Sequence, residues 1–65
     1  MMVLINGKKE QAAGKTIAGI VEEYNYDIKT IAVELNEEIV SKCDYSKTIL
    51  KEDDVVEVVS FVGGG

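Results

Sequence analysis

The amino-acid sequence predicts a two-layer α+β domain, in which one helix packs across a face of a mixed sheet of four to five strands. One segment only has helical periodicity, with apolar residues at positions i, i+3, i+4 and i+7 from Ile17 to Tyr24. Short apolar or alternating segments, typical of strands, lie before and after it. A chain of 65 residues has room for one small core, because a domain of this size buries only about 60% of its surface.

The first two strands are predicted to form a hairpin around Asn6-Gly7. This dipeptide follows an apolar run that ends at Ile5, and both of its residues tolerate positive φ, which makes it the strongest short hairpin signal. The second strand, within residues 8–13, is polar and has weak β propensity. We therefore expect it at a sheet edge.

The helix is predicted to begin after Thr16, whose hydroxyl can cap it, and to fade near residues 25–27. Its apolar face consists of Ile17, Ile20, Val21 and Tyr24. Gly19 inside the helix costs roughly 1 kcal/mol relative to alanine. A close approach of the helix to the sheet would explain that glycine.

The segment after the helix predicts a third strand at residues 31–35, where Ile31, Val33 and Leu35 alternate with less apolar residues. A turn at residues 36–38 and a short return strand at Ile39-Val40 follow.

The last third of the chain is predicted to end in the strand with the highest β propensity, at residues 55–62. Before it come an irregular segment with a helical turn at residues 44–46, a return to the core at residues 48–50 and a charged turn at residues 51–54. The complete order of elements fits the β-grasp fold of ubiquitin-like proteins.

Composition disfavours several classes of function. The net charge of −5, with no basic stripe, disfavours nucleic-acid binding, whereas partners with basic surfaces are favoured. The absence of histidine removes the commonest general base and metal ligand, and Cys43 alone cannot form an internal disulfide. We expect no catalytic residue, no metal and no bound cofactor. We also expect no membrane segment and a cytoplasmic location.

The triglycine end, Gly63-Gly64-Gly65, is the feature that indicates a function. We expect a domain at residues 1–62 and a flexible tail at residues 63–65. Three terminal glycines add nothing to stability, but a thread without Cβ atoms can enter a narrow channel. ATP can convert a terminal carboxylate into an acyl-adenylate, which a sulfur nucleophile can attack, so this chemistry requires a partner enzyme. A frayed terminus or the remnant of a cloned linker is the alternative interpretation.

The sequence resembles the sulfur carrier proteins of thiamine biosynthesis, the ThiS family, over its whole length. The blocks that carry the resemblance are Leu4-Ile5-Asn6-Gly7, Thr16-Ile17, Ala32-Val33-Glu34-Leu35-Asn36 with Glu38-Ile39-Val40, Asp54-Val55-Val56-Glu57-Val58 and Phe61-Val62-Gly63-Gly64-Gly65. Many relatives have Pro-Arg at the position of Ser41-Lys42, and many have a glycine in the last turn, here Glu52-Asp53-Asp54. We expect these departures to change local turns and not the chemistry.

The resemblance implies a protein co-substrate and not an enzyme. An E1-like adenylyltransferase (ThiF-like) would use ATP to adenylate Gly65, and sulfur from a cysteine desulfurase would convert Gly65 into a thiocarboxylate. A thiazole synthase (ThiG-like) would then receive the sulfur. Gly63 and Gly64 would form the thread, Phe61 and Val62 would help dock it, and the free chain would be a monomer.

Three alternatives remain open from the sequence. The chain could donate sulfur for molybdopterin or cysteine synthesis, it could be a ubiquitin-like modifier of lysines, or it could be a binding module without tail chemistry. The sequence gives weaker support to three further sites: a nucleophile at Cys43, a calcium site at residues 52–54 and an acidic docking surface at Glu22-Glu23 or Glu37-Glu38. In each case a structural or solvent-exposed role of these side chains is favoured. Tyr24 is expected in the core, whereas Tyr26 and Tyr45 could lie in the core or at an interface.

Overall fold

The structure is a computed structural model that describes residues 2–61. It contains five strands, one α-helix and two short 3₁₀ helices. In chain order the elements are β1 (Val3–Ile5), β2 (Lys8–Glu10), α1 (Ile17–Glu23), a 3₁₀ helix (Ile28–Thr30), β3 (Ile31–Leu35), β4 (Glu38–Val40), a second 3₁₀ helix (Lys42–Asp44) and β5 (Val55–Ser60).

The strands form one mixed sheet in the order β2-β1-β5-β3-β4. The β1–β5 pair is parallel, and the other neighbouring pairs are antiparallel. The predicted β-grasp arrangement with one helix is therefore confirmed. β2 lies at an edge as expected, but it is shorter than predicted and ends at Glu10.

The core lies between α1 and one face of the sheet. Ile17, Ile20 and Val21 of the helix are buried, as their periodicity predicts, and Tyr24 packs half-buried against them. The other buried residues are Val3, Ile5, Ala12, Ile31, Val33, Tyr45, Leu50 and Val56. Tyr45, which the sequence left open, is thus a core residue, with 2% of its surface exposed.

Both ends of α1 are capped by local sequence. The hydroxyl of Thr16 accepts a hydrogen bond from the Gly19 N–H at 3.0 Å. At the other end, Asn25 has a φ of 60°, and the N–H groups of Asn25 and Tyr26 donate to the carbonyls of Glu22 and Val21. This is the Schellman arrangement that ends a helix with a left-handed residue.

Three local expectations need correction. The nearest atom to a Cβ built on Gly19 is the Thr16 hydroxyl, at 3.3 Å, so the cap and not the sheet is close to this glycine. Ile49 does not enter the core, since it bridges to Thr16 with 57% of its surface exposed while its neighbour Leu50 is buried. The helical turn expected at residues 44–46 begins two residues earlier, as the 3₁₀ helix Lys42–Asp44, and Tyr45 at its C-terminal end keeps a helical backbone while its side chain is buried in the core.

Candidate functional site

The fold places β5, the strand that leads to the triglycine end, at the centre of the sheet. Residues 55–56 of β5 pair in parallel with β1. Residues 56–60 pair antiparallel with β3, where Val56 faces Leu35 and Ser60 faces Ile31. Strand neighbours on both sides therefore fix the direction in which β5 approaches its C-terminal end.

Two asparagine side chains extend this pairing beyond the strands. The Oδ1 atom of Asn6, in the β1–β2 turn, accepts a hydrogen bond from the Val58 N–H at 2.7 Å. On the opposite side of β5, the Oδ1 atom of Asn36, in the β3–β4 turn, accepts one from the Val55 N–H at 2.9 Å. Both asparagines have a φ of 51°, a left-handed conformation that asparagine tolerates. The sequence indicated Asn6 only as a turn residue and gave no signal for its contact with β5.

Phe61, a predicted docking residue, lies directly after β5. Its N–H donates to the Thr30 carbonyl at 2.6 Å, which continues the β3–β5 ladder by one residue. Its side chain is 59% exposed, and Val59, two residues earlier, is 46% exposed. The base of the tail thus has a fixed backbone and accessible apolar side chains. The other predicted site residues, Val62 and Gly63 to Gly65, lie outside the described residues.

The face of the sheet that points away from α1 combines apolar and acidic side chains. Val59 lies opposite Ala32, and Glu57 lies directly opposite Glu34. Ile39 of β4 lies on the other side of Glu34 and is 76% exposed. Like charges directly opposite each other in a sheet are destabilising, so this face places negative potential beside the base of the tail at a cost in stability.

Groups that could perform chemistry are sparse in the described part of the chain. No cluster of metal-binding side chains occurs within residues 2–61. Cys43 is exposed, and its Sγ atom lies 3.2 Å from the Ser41 hydroxyl, which is not a base that could activate a thiol. An open cleft of about 490 Å³ includes Leu35, Val40 and Asp44. Since Leu35 pairs with Val56 and Ile31 pairs with Ser60, this cleft lies at the end of β3 remote from the tail.

The two tyrosines with perturbed acidity have structural surroundings. Burial raises the pKa of Tyr45, and a hydrogen bond with the Val33 backbone partly opposes that increase. Burial also raises the pKa of Tyr24, and a hydrogen bond and the negative charge of Glu10 add to the increase. Both tyrosines pack in or against the core, so we assign them no role in a reaction.

None of the helices described is long and apolar enough to span a membrane.

The sequence model of the ThiS family matches residues 3–65, a range that includes the triglycine end. The chain is 39% identical to a sulfur carrier protein ThiS from Thermus thermophilus, over 98% of this chain and the whole of that protein. It is also 39% identical to a sulfur carrier protein ThiS from Bacillus subtilis, with the same coverage.

Larger proteins contain a similar segment. A thiazole synthase from Magnetococcus marinus is 39% identical over the whole of this chain, but the chain spans only 20% of that protein. Among solved structures, the crystal structure of a thiamine biosynthesis protein (ThiS) from Geobacter metallireducens has a TM-score of 0.82 and 28% identity, and each chain is covered completely.

Proposed function

Because the chain belongs to the ThiS family, we propose that it is a sulfur carrier for thiamine biosynthesis and that Gly65 carries the sulfur as a thiocarboxylate. The observation that carries this proposal is that the family match extends to Gly65. It is supported by the fold, because the central strand β5 precedes the triglycine end in the chain. Residues 1–62 form the carrier domain, and residues 63–65 form the thread that enters the active sites of partner enzymes.

The proposed reaction begins at the Gly65 carboxylate. A carboxylate oxygen attacks the α-phosphorus of ATP, which releases pyrophosphate and leaves an acyl-adenylate. A persulfide of a cysteine desulfurase then attacks the carbonyl carbon with its terminal sulfur and displaces AMP, which leaves an acyl disulfide. A thiol attacks the donor's sulfur in this S–S bond and forms a disulfide with it, and the thiocarboxylate is released. An E1-like adenylyltransferase binds the ATP. The carrier is a co-substrate and not an enzyme, which agrees with its lack of histidine.

The proposed acceptor of the sulfur is a thiazole synthase. Two proteins with that name, from Magnetococcus marinus and Paramagnetospirillum magneticum, contain segments 39% and 36% identical to this chain. A carrier domain within the same polypeptide as the acceptor supports a direct encounter between the two. We propose that the free chain is a cytoplasmic monomer and meets its partners transiently.

Intact mass spectrometry tests the proposal. The chain is incubated with ATP, an E1-like adenylyltransferase, a cysteine desulfurase and cysteine. We expect replacement of one terminal oxygen by sulfur, a mass increase of about 16 Da that fragmentation localises to Gly65. Two controls keep the domain and change its end: deletion of Gly65 and addition of one alanine after it. Conversion of either control at the rate of the unmodified chain would refute the role of Gly65.

The same experiment separates the alternatives. Covalent conjugates with lysines, in place of a thiocarboxylate, would identify a modifier. An unchanged mass, when the enzymes act on another carrier, would favour a binding module.

A further inference from the structure

β5 is longer than its parallel partner. β1 ends at Ile5, and its register with β5 ends at Val56, whereas β5 continues to Ser60. The Asn6 side chain satisfies one further N–H, that of Val58. Beyond that contact, no strand within residues 2–61 pairs with β5 on the β1 side.

The direction of the remaining backbone groups follows from strand alternation. The Val56 carbonyl and the Val58 N–H point toward β1, where both bond with Asn6, whereas the Phe61 N–H points toward β3. Groups two residues apart point to the same side of a strand. The carbonyl of Val58 and the N–H of Ser60 therefore face the open side. We call residues 58–60 with this orientation the free half-edge.

The free half-edge differs from the two outer edges of the sheet. Proteins protect exposed edges with charged residues, especially lysine, and with very short strands. β2 has three residues and presents Lys8 and Lys9, and β4 also has three residues and begins with Glu38. Residues 58–60 are Val, Val and Ser, so the half-edge carries no charge, and Val59 is 46% exposed. An uncharged open edge can pair with a strand of another protein.

Chain length places the partner enzyme beside this edge. Only residues 61–65 separate Ser60 from the proposed reactive carboxylate. Five residues span at most about 18 Å when fully extended. An enzyme that encloses Gly65 in its active site must therefore bring its surface to the end of β5.

We propose that the free half-edge binds an extended segment of the thiazole synthase, which adds a strand beside β5 and fixes the tail in register. This inference rests on the proposed function for the identity of the enzyme. The hydrogen-bond donor is the N–H of Ser60, and the acceptor is the carbonyl of Val58. Val59 and Phe61 on the helix-free face would contact the same partner.

The test measures the affinity of the full chain for thiazole synthase by calorimetry. Ser60→Pro removes the N–H, and proline is tolerated on a strand where that group faces solvent. We expect the dissociation constant to increase about tenfold, which corresponds to the loss of one hydrogen bond together with poorer pairing between β5 and the added strand. Ser60→Ala, which keeps the N–H, should stay within about twofold.

A semisynthetic variant guards against a folding defect. The Ser60→Ala chain is compared with its ester counterpart, in which an oxygen atom replaces the amide N–H at position 60. To make both chains, a synthetic peptide that begins at the exposed Cys43 is ligated to the preceding segment. The ester should weaken binding as Ser60→Pro does. Hydrogen exchange gives a readout without substitution: the Ser60 amide should become protected in the complex, whereas the Val58 amide, already bonded to Asn6, should change little.

Several outcomes would overturn the inference. They are equal affinity of the ester and amide chains, unchanged exchange of Ser60, no binding of the unmodified chain, or pairing of the half-edge with a second copy, seen as a dimer by light scattering. Thiocarboxylate formation on the same variants is measured separately by mass. If the chain acquires sulfur but its affinity for thiazole synthase does not depend on the Ser60 N–H, only the proposed pairing of the half-edge is disproved. If the chain never acquires sulfur, the carrier function is disproved.

Discussion

The side-chain oxygen of Asn6 lies 2.7 Å from the backbone nitrogen of Val58 and accepts its hydrogen bond. A residue of the first turn is thereby joined to the last strand, 52 positions later in the chain. The same asparagine donates its own N–H to the Val56 carbonyl. Asn6 thus takes the place of one further residue of β1 and connects the start of the chain to the strand that approaches the tail.

Asn6→Gly isolates the contribution of this side chain, because glycine adopts the φ of 51° without strain. We expect the free energy of unfolding, measured in urea, to fall by about 1–2 kcal/mol, because the Asn6 side chain accepts from the Val58 N–H and also donates, at 3.3 Å, to the Tyr26 hydroxyl. The Val58 amide should also exchange faster. Asn6→Asp, which keeps an oxygen acceptor, should lose less stability. A glycine variant as stable as the unmodified chain, with unchanged Val58 exchange, would show that water replaces the contact without loss.

The N-terminal cap of α1 gives a second prediction. Thr16→Ala should cost about 1 kcal/mol, because the Gly19 N–H loses its acceptor. Gly19→Ala should gain up to about 1 kcal/mol of helix propensity in the Thr16→Ala background. The gain should be smaller beside Thr16, whose hydroxyl would lie 3.3 Å from the new Cβ. Urea unfolding of the four chains measures this coupling, and equal gains in both backgrounds would contradict the close contact.

The opposed pair Glu34 and Glu57 gives a third prediction. Glu57→Lys replaces repulsion across the strands with attraction, and we expect roughly 0.5 kcal/mol of added stability at low salt. Glu52→Lys changes the net charge equally in an exposed turn and serves as the control. The difference between the two variants should shrink in 1 M salt, where the Debye length is about 3 Å. A difference that does not depend on salt would indicate packing and not charge.

Alkaline pH should destabilise the fold through Tyr45 and Tyr24. Burial raises the pKa of both hydroxyls, so the folded state binds their protons more tightly than the unfolded state does. Their contribution is complete below the unfolded pKa of about 10 and is lost as the pH rises through the folded values. Urea midpoints from pH 8 to pH 11.5 should therefore decrease, and less steeply for Tyr45→Phe. An identical decrease in that variant would remove Tyr45 as a cause.

Local patterns in the sequence were sufficient for most of the fold. The spacing of Ile17, Ile20 and Val21 predicted the helix and its buried face, and Asn6-Gly7 predicted the first turn. The alternation at residues 31–35 predicted β3 with its bounds. These features depend on the side-chain period and on φ preferences, which act within a few residues. The blocks that resemble the ThiS family were also visible in the sequence, and the family match confirms that resemblance.

Contacts between distant segments decided the rest. No local pattern indicates that the Asn6 side chain reaches Val58, that Glu34 faces Glu57, or that β1 ends before β5 does. Tyr45 is buried and Ile49 is exposed because packing against the sheet, and not hydrophobicity alone, selects the residues that enter the core. Sequence alone therefore determined the elements and the triglycine end, whereas the register of the sheet, which depends on nonlocal pairing, determined the surroundings of the strand that leads to Gly65.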